Sequence, residues 1–93
     1  MINKKIIKIR KKLDKLDLEM LNLIKKRSLL VDQVIKIKHL KKQIIDKKRI
    51  KMILKNIKKK SVLKKIDPNI TERIWKTMIN SFIQYEFKKF KKK

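Results

Sequence analysis

Residues Ile9 to Lys38 read IRKKLDKLDLEMLNLIKKRSLLVDQVIKIK, and the spacing within this stretch decides the fold. Counting from Ile2 ahead of it, apolar residues fall at Ile2, Ile6, Ile9, Leu13, Leu16, Met20 and Leu23, then at Leu30, Val34 and Ile37. Steps of four and three alternate, which is the repeat of one helix face, while Lys and Asp take the other faces. No Gly or Pro interrupts the run, so the pattern predicts one helix from about Asn3 to Leu40. At ~1.5 Å per residue it is roughly 57 Å long. A compact chain of this size has a diameter of only about 30 Å, so the helix overhangs any monomeric core. The seam is therefore expected to be buried in an oligomer.

Outward from this helix, two more are predicted. The second starts at Asp46, whose carboxylate can cap the free N–H groups of Lys48 or Arg49, and runs through Ile50, Ile53, Leu54 and Ile57 to the Lys58–Ser61 region. The third opens with Asp67-Pro68, a capping carboxylate followed by proline at the first helical position, the strongest start signal in the chain. Its apolar stripe is Ile70, Ile74, Trp75, Met78, Ile79, Phe82, Ile83 and Phe90. The lysine-rich tail Lys88–Lys93 is expected to fray. No repeat or linker divides the 93 residues, so they are read as one all-α domain spanning positions 1–93.

Composition narrows the function. Lys+Arg 31 against Asp+Glu 8 gives a net charge of +23, a density suited to nucleic acid, an acidic membrane face or an anionic substrate. The chain also holds 27 Lys and 17 Ile with no Ala or Gly, so residues with AT-rich codons displace those with GC-rich codons throughout. Part of the charge is thereby attributable to mutational bias. Zero cysteines exclude disulfides, thiolate metal sites and thiol nucleophiles, and His39 alone cannot build a metal cluster. No run approaches the ~18 apolar residues of a membrane span, and the start MINKKIIKIRKK lacks the apolar core of a secretory signal. A cytoplasmic protein without metal or cofactor is the expectation.

The informative residues are charges placed where the pattern asks for an apolar side chain. Four residues beyond Leu23 stands Arg27, and the seam resumes three later at Leu30. One such arginine is ordinarily a packed stem with its head in water. However, Lys38 follows eleven residues on, along nearly the same face, and Arg10 precedes Arg27 by seventeen. Seventeen residues is about 25 Å of helix, beyond side-chain reach, so Arg10 could join Arg27 on one ligand only from an antiparallel partner. On the third helix Glu86 breaks the stripe in the same way, lying between Phe82 or Ile83 and Phe90. A carboxylate there needs a cationic partner, and a structural ion pair with one of the many lysines is the plain alternative. Arg49, a turn into the second helix, could equally be solvated surface. Together such charges would make a helical site with no nucleophile, metal or phosphate loop. That suits a small dianion whose reaction needs holding and electrostatic stabilisation.

At this point the residues resemble a known family. The run Ile9–Lys38, the D-x-x-R of Asp46 to Arg49, and DPNITERIWKTMINSFIQYE from Asp67 to Glu86 are similar to the all-helical, AroQ-type chorismate mutases over nearly the whole chain. The most specific part is R-x-x-L/I-D-x-L-D followed by Arg27 and Lys38 at the family's spacing without a gap. The resemblance implies an intertwined homodimer of three-helix chains in which each active site borrows one arginine from its partner, in agreement with the reach argument above.

The same resemblance implies roles. Arg10 would be donated across the dimer and Arg27 would be its same-chain counterpart, the two clamping the carboxylates of chorismate. Lys38 would bond the ether oxygen that gains negative charge as its C–O bond breaks, and Glu86 would contact that oxygen from the other side, where the family usually has Gln. Asp46 and Arg49 match the polar residues at the start of the second helix, and Val34, Ile53, Ile79 and Ile83 match the apolar wall. The implied reaction is the Claisen rearrangement of chorismate to prephenate, on the route to phenylalanine and tyrosine. Glu86 must be protonated to donate a hydrogen bond, whereas Gln donates at any pH, so turnover is expected to rise below neutral pH.

Three departures keep a second activity open. Ile50 stands where many chorismate mutases carry Glu, Phe82 replaces a small polar residue, and the loop before Asp46 is one residue short. Ile50 and Phe82 look more like the related isochorismate-pyruvate lyases, which form salicylate. A non-enzymatic alternative is a basic helical dimer that binds nucleic acid. Against it, all five aromatic residues (Trp75, Phe82, Tyr85, Phe87 and Phe90) lie on one helix and no base-reading motif is present, so only non-specific, charge-driven binding is expected.

Overall fold

A computed structural model describes residues 3–38 and 40–90. Ile2 of the seam, His39, and Lys91–Lys93 of the tail lie outside the described residues. The chain is all-α, with α1 at Lys4–Ile37, a short 3-10 turn at Lys41–Gln43, α2 at Lys47–Leu63 and α3 at Pro68–Lys89. Among the described residues there is no strand. The chain divides into two compact units, Met1–Leu30 and Val31–Lys93.

The first unit is helical from Lys4 onward. Asn3 caps it, its side-chain oxygen accepting the Lys5 N–H at 2.8 Å. The seam residues Ile6, Ile9, Leu13, Leu16, Met20 and Leu23 all remain exposed, with Leu13 at 52% and Leu23 at 59%. Together they make a continuous apolar row along the exposed surface of α1.

In the second unit, the end of α1 departs from the sequence expectation by three residues: the helix stops at Ile37 rather than Leu40. Leu40 turns to extended backbone (φ −127°, ψ 139°), and the Gln43 side chain accepts its N–H at 2.9 Å. This local bond, together with Gln43 N–H to Leu40 C=O at 3.0 Å, replaces helical continuation with a tight turn. Ile44, only 3% exposed, anchors that turn in the interior.

Helix α2 begins as the sequence predicts. Asp46 is its cap, accepting the Arg49 N–H at 3.0 Å. Its far end runs on to Leu63, past the Lys58–Ser61 stop expected from the lysine run. Ser61 explains the extension. It is 4% exposed, and its hydroxyl donates to the Ile57 carbonyl at 2.6 Å and shares a 2.8 Å hydrogen bond with Thr71 on α3. The helix then closes with the Ile66 N–H on the Ser61 carbonyl (2.9 Å) and the Lys65 N–H on that of Val62 (3.1 Å). This is a Schellman closure, and it puts Lys65 at φ 59°, a left-handed position that favours glycine.

Helix α3 starts at Pro68 with Asp67 as its cap, the carboxylate accepting the Asn69 N–H at 2.9 Å. It continues to Lys89, two residues into the segment expected to fray. Helices α2 and α3 pack against each other. Ile53, Leu54 and Ile57 of α2 and Trp75, Met78, Ile79, Phe82 and Ile83 of α3 are half-buried, and Ile35 near the end of α1 is buried. Ile70 and Ile74, although part of the α3 stripe, stay exposed.

Candidate active site

Two long-range polar contacts tie the last turns of α1 and the residue that follows it to α3. Lys38, one residue past the end of α1, places its Nζ 2.8 Å from Glu86 Oε1. The two side chains are 18% and 11% exposed. Glu86 and Ser61 are the buried polar residues among those described. The interruption of the α3 stripe at Glu86 is thus answered by a lysine, as the sequence requires, and that lysine is the one expected at the site. Which of 27 lysines would meet Glu86 is set by a contact 48 residues apart in the chain, so residue spacing within α3 alone could not supply it.

The second contact leaves no mark in the residue pattern. Tyr85 Oη donates to Asp32 Oδ1 at 2.5 Å, across 53 residues of sequence. The Asp32 carboxylate, through this hydrogen bond first, with burial and its charge adding, pushes the Tyr85 phenol above its ordinary pKa. Phe82 meets the Tyr85 ring edge to face at 6.4 Å and 85°, and Lys89 Nζ stands 6.0 Å from the ring centroid. Asp32 lies off the apolar seam and Tyr85 beside the α3 stripe, so each reads as an ordinary surface residue in the sequence; the only available signal is that Tyr85 is the single tyrosine.

Beside the Lys38–Glu86 pair is an open pocket of about 960 Å³, whose walls include Lys38, Lys41, Lys42, Asp46, Lys47 and Phe87. It brings Lys38 and Asp46 to one concavity dominated by positive charge, a setting for an anionic ligand. Asp46 doubles as the α2 cap. Arg49 follows it with its residue exposed, and Ile50, one step on, is half-buried. Of the expected apolar wall, Ile53, Ile79 and Ile83 are half-buried, as is Phe82, whereas Val34 is 45% exposed. Arg10 and Arg27 both belong to the Met1–Leu30 unit, on exposed positions of α1 about 25 Å apart along the helix.

Three helices, a long exposed apolar seam on the first, and a part-buried lysine–carboxylate pair beside a cationic pocket define this all-helical chain. The chain belongs to the chorismate mutase type II family, whose model matches residues 9–87. Comparison with curated proteins and with solved structures found no match. The family membership bears out the AroQ-type resemblance and the three-helix fold, and it supports chorismate mutase-type chemistry at the level of the family. Among the described residues no helix is long and apolar enough to cross a membrane.

Proposed function

We propose that this protein is a chorismate mutase that converts chorismate to prephenate by an intramolecular Claisen rearrangement, in the synthesis of phenylalanine and tyrosine, and that it works as a cytoplasmic homodimer without cofactor. The observation that carries this reading is the Lys38–Glu86 pair at 2.8 Å, largely withdrawn from solvent at the edge of a cationic pocket. The reaction breaks one C–O bond and forms one C–C bond within a single molecule, with no proton or electron supplied from outside. Catalysis then consists of holding a compact conformer and stabilising the charge that separates as the C–O bond breaks.

Each residue has a task in that scheme. Arg27 and, from the second copy, Arg10 hold the two carboxylates by bidentate hydrogen bonds. Lys38 stabilises the ether oxygen as it gains charge, and protonated Glu86 donates to the same oxygen. Asp46 and Arg49 position the ring and its hydroxyl, and Val34, Ile53, Ile79 and Ile83 close the apolar side. A carboxyl group donates a hydrogen bond only in its protonated form, whereas an amide at the same position donates at any pH. Activity carried by the protonated carboxyl predicts turnover that rises as pH falls.

A product assay by NMR with chorismate, and separately isochorismate, at pH 5.5 and 7.5 tests the reading. Prephenate from chorismate, formed faster at the lower pH, is the expected result, and Glu86→Gln flattens the profile. A wild-type rate that is level between pH 5 and 8 contradicts the role given to Glu86. The second reading, isochorismate-pyruvate lyase, is favoured by the half-buried apolar pair Ile50 and Phe82 where chorismate mutases present polar groups. Salicylate and pyruvate from isochorismate, with chorismate turned over poorly, would establish that activity instead.

A further inference from the structure

Tyr85 and Glu86 are neighbours on α3, so their side chains leave the helix about 100° apart around its axis. Each is joined to the same stretch of chain at the end of α1, Tyr85 to Asp32 within the helix and Glu86 to Lys38 one residue beyond it. A single cross-link between α3 and the end of α1 is a pivot, about which the two can turn and carry the neighbouring side chain out of reach. Two cross-links on different sides of the helix remove that freedom.

We infer that Asp32 and Tyr85 form a positioning pair, which fixes the roll of α3 against the end of α1 and so holds Glu86 in register with Lys38. The inference deepens the mutase reading, and rests on it for the catalytic meaning of Lys38 and Glu86, but the geometry it concerns can be measured without substrate. Neither residue touches the reacting atoms; both act through the Lys38–Glu86 pair. The phenol suits the task because its ring is already held by Phe82 on one edge and by Lys89 over its face, so little freedom remains to be lost when the hydroxyl finds its acceptor. A hydrogen bond to a carboxylate is also stronger than one between neutral groups. Phenylalanine would keep the packing and lose the tie.

The test has a spectroscopic, a thermodynamic and a kinetic arm. Because Tyr85 is the single tyrosine, phenolate absorbance titrates one group in the intact protein. Its midpoint lies above the ordinary value of about 10, and Asp32→Ala returns it towards that value; a wild-type midpoint at or below about 10 overturns the contact itself. The coupling between Lys38 and Glu86 is then measured by a double-mutant cycle of Lys38→Met and Glu86→Gln in denaturant unfolding, once in the wild type and once with Tyr85→Phe. The coupling falls by more than about half in the Tyr85→Phe background. If Tyr85→Phe lowers stability but leaves the coupling intact, the tie is structural only and the inference is wrong. Running the cycle in Asp32→Ala repeats the test without disturbing the aromatic packing of α3, should Tyr85→Phe fail to fold. In the kinetic arm, Tyr85→Phe lowers kcat with chorismate by about 10- to 100-fold while KM moves far less. Absence of turnover in the wild type would count against the mutase reading alone, since the titration and the cycle still decide the positioning role.

Discussion

Single residues carry most of the functional argument, and the most exacting of them is Arg27. Its position four residues past Leu23 sets it on the apolar seam of α1, where a charge has to be justified by a ligand or by snorkelling. Under the proposed function Arg27 clamps a substrate carboxylate, and Arg27→Ala lowers kcat/KM for chorismate by about a hundredfold or more while binding of a polyanion such as heparin hardly changes. Replacing several of the surface lysines has the opposite pattern. Loss of polyanion binding together with unchanged turnover in Arg27→Ala would remove the arginine from the site. The sequence shows Arg27, Lys38 and Glu86 as exceptions to an apolar repeat, because a repeat makes any exception visible. It does not show Asp32 and Tyr85. They break no pattern, and their contact spans 53 residues that only the folded chain brings together.

At the scale of the helices, beginnings were more legible than ends. Asp46 and Asp67-Pro68 announce α2 and α3 because a cap acts on N–H groups two or three residues away, a range that the linear chain displays directly. Ends are normally announced by glycine, and this chain has none. The stop of α1 depends instead on the Gln43 side chain capturing the Leu40 N–H, and the stop of α2 on Ser61 being buried against Thr71 of α3. Lys65 stands where glycine would ordinarily stand, at φ 59°. A side chain in that region costs about 1–2 kcal/mol, offset in part by the greater freedom that glycine has when unfolded. Lys65→Gly therefore stabilises the protein by about 1 kcal/mol, read as a higher denaturant midpoint with an unchanged slope. A lower midpoint would mean that the lysine stem contributes packing worth more than the backbone relief.

For the molecule as a whole, the exposed seam of α1 is the decisive feature. The six seam side chains from Ile6 to Leu23 lie open to water on the Met1–Leu30 unit, and nothing within a single helix can cover them. Pairing of two copies through this face would bury the seam and bring Arg10 of one to Arg27 of the other. Sedimentation of the purified protein should accordingly give a dimer, and activity per chain should fall on dilution below the dissociation constant. A fully active monomer would defeat the shared site, since Arg10 cannot span ~25 Å of helix to Arg27 within one chain. That one long helix would form was legible from residue periodicity alone, though not its stop at Ile37; its partner was not legible, because a seam states that it will be covered without stating by what. The left-handed lysine between α2 and α3 has a different reach, into the way the chain can evolve. Both lysine codons are a single base change from asparagine, the other residue that tolerates this backbone, and the change can keep the codon free of G and C. Glycine requires two changes into G-rich codons. Selection for a more robust protein under the same mutational pressure would relieve position 65 through asparagine, leaving the chain still without glycine.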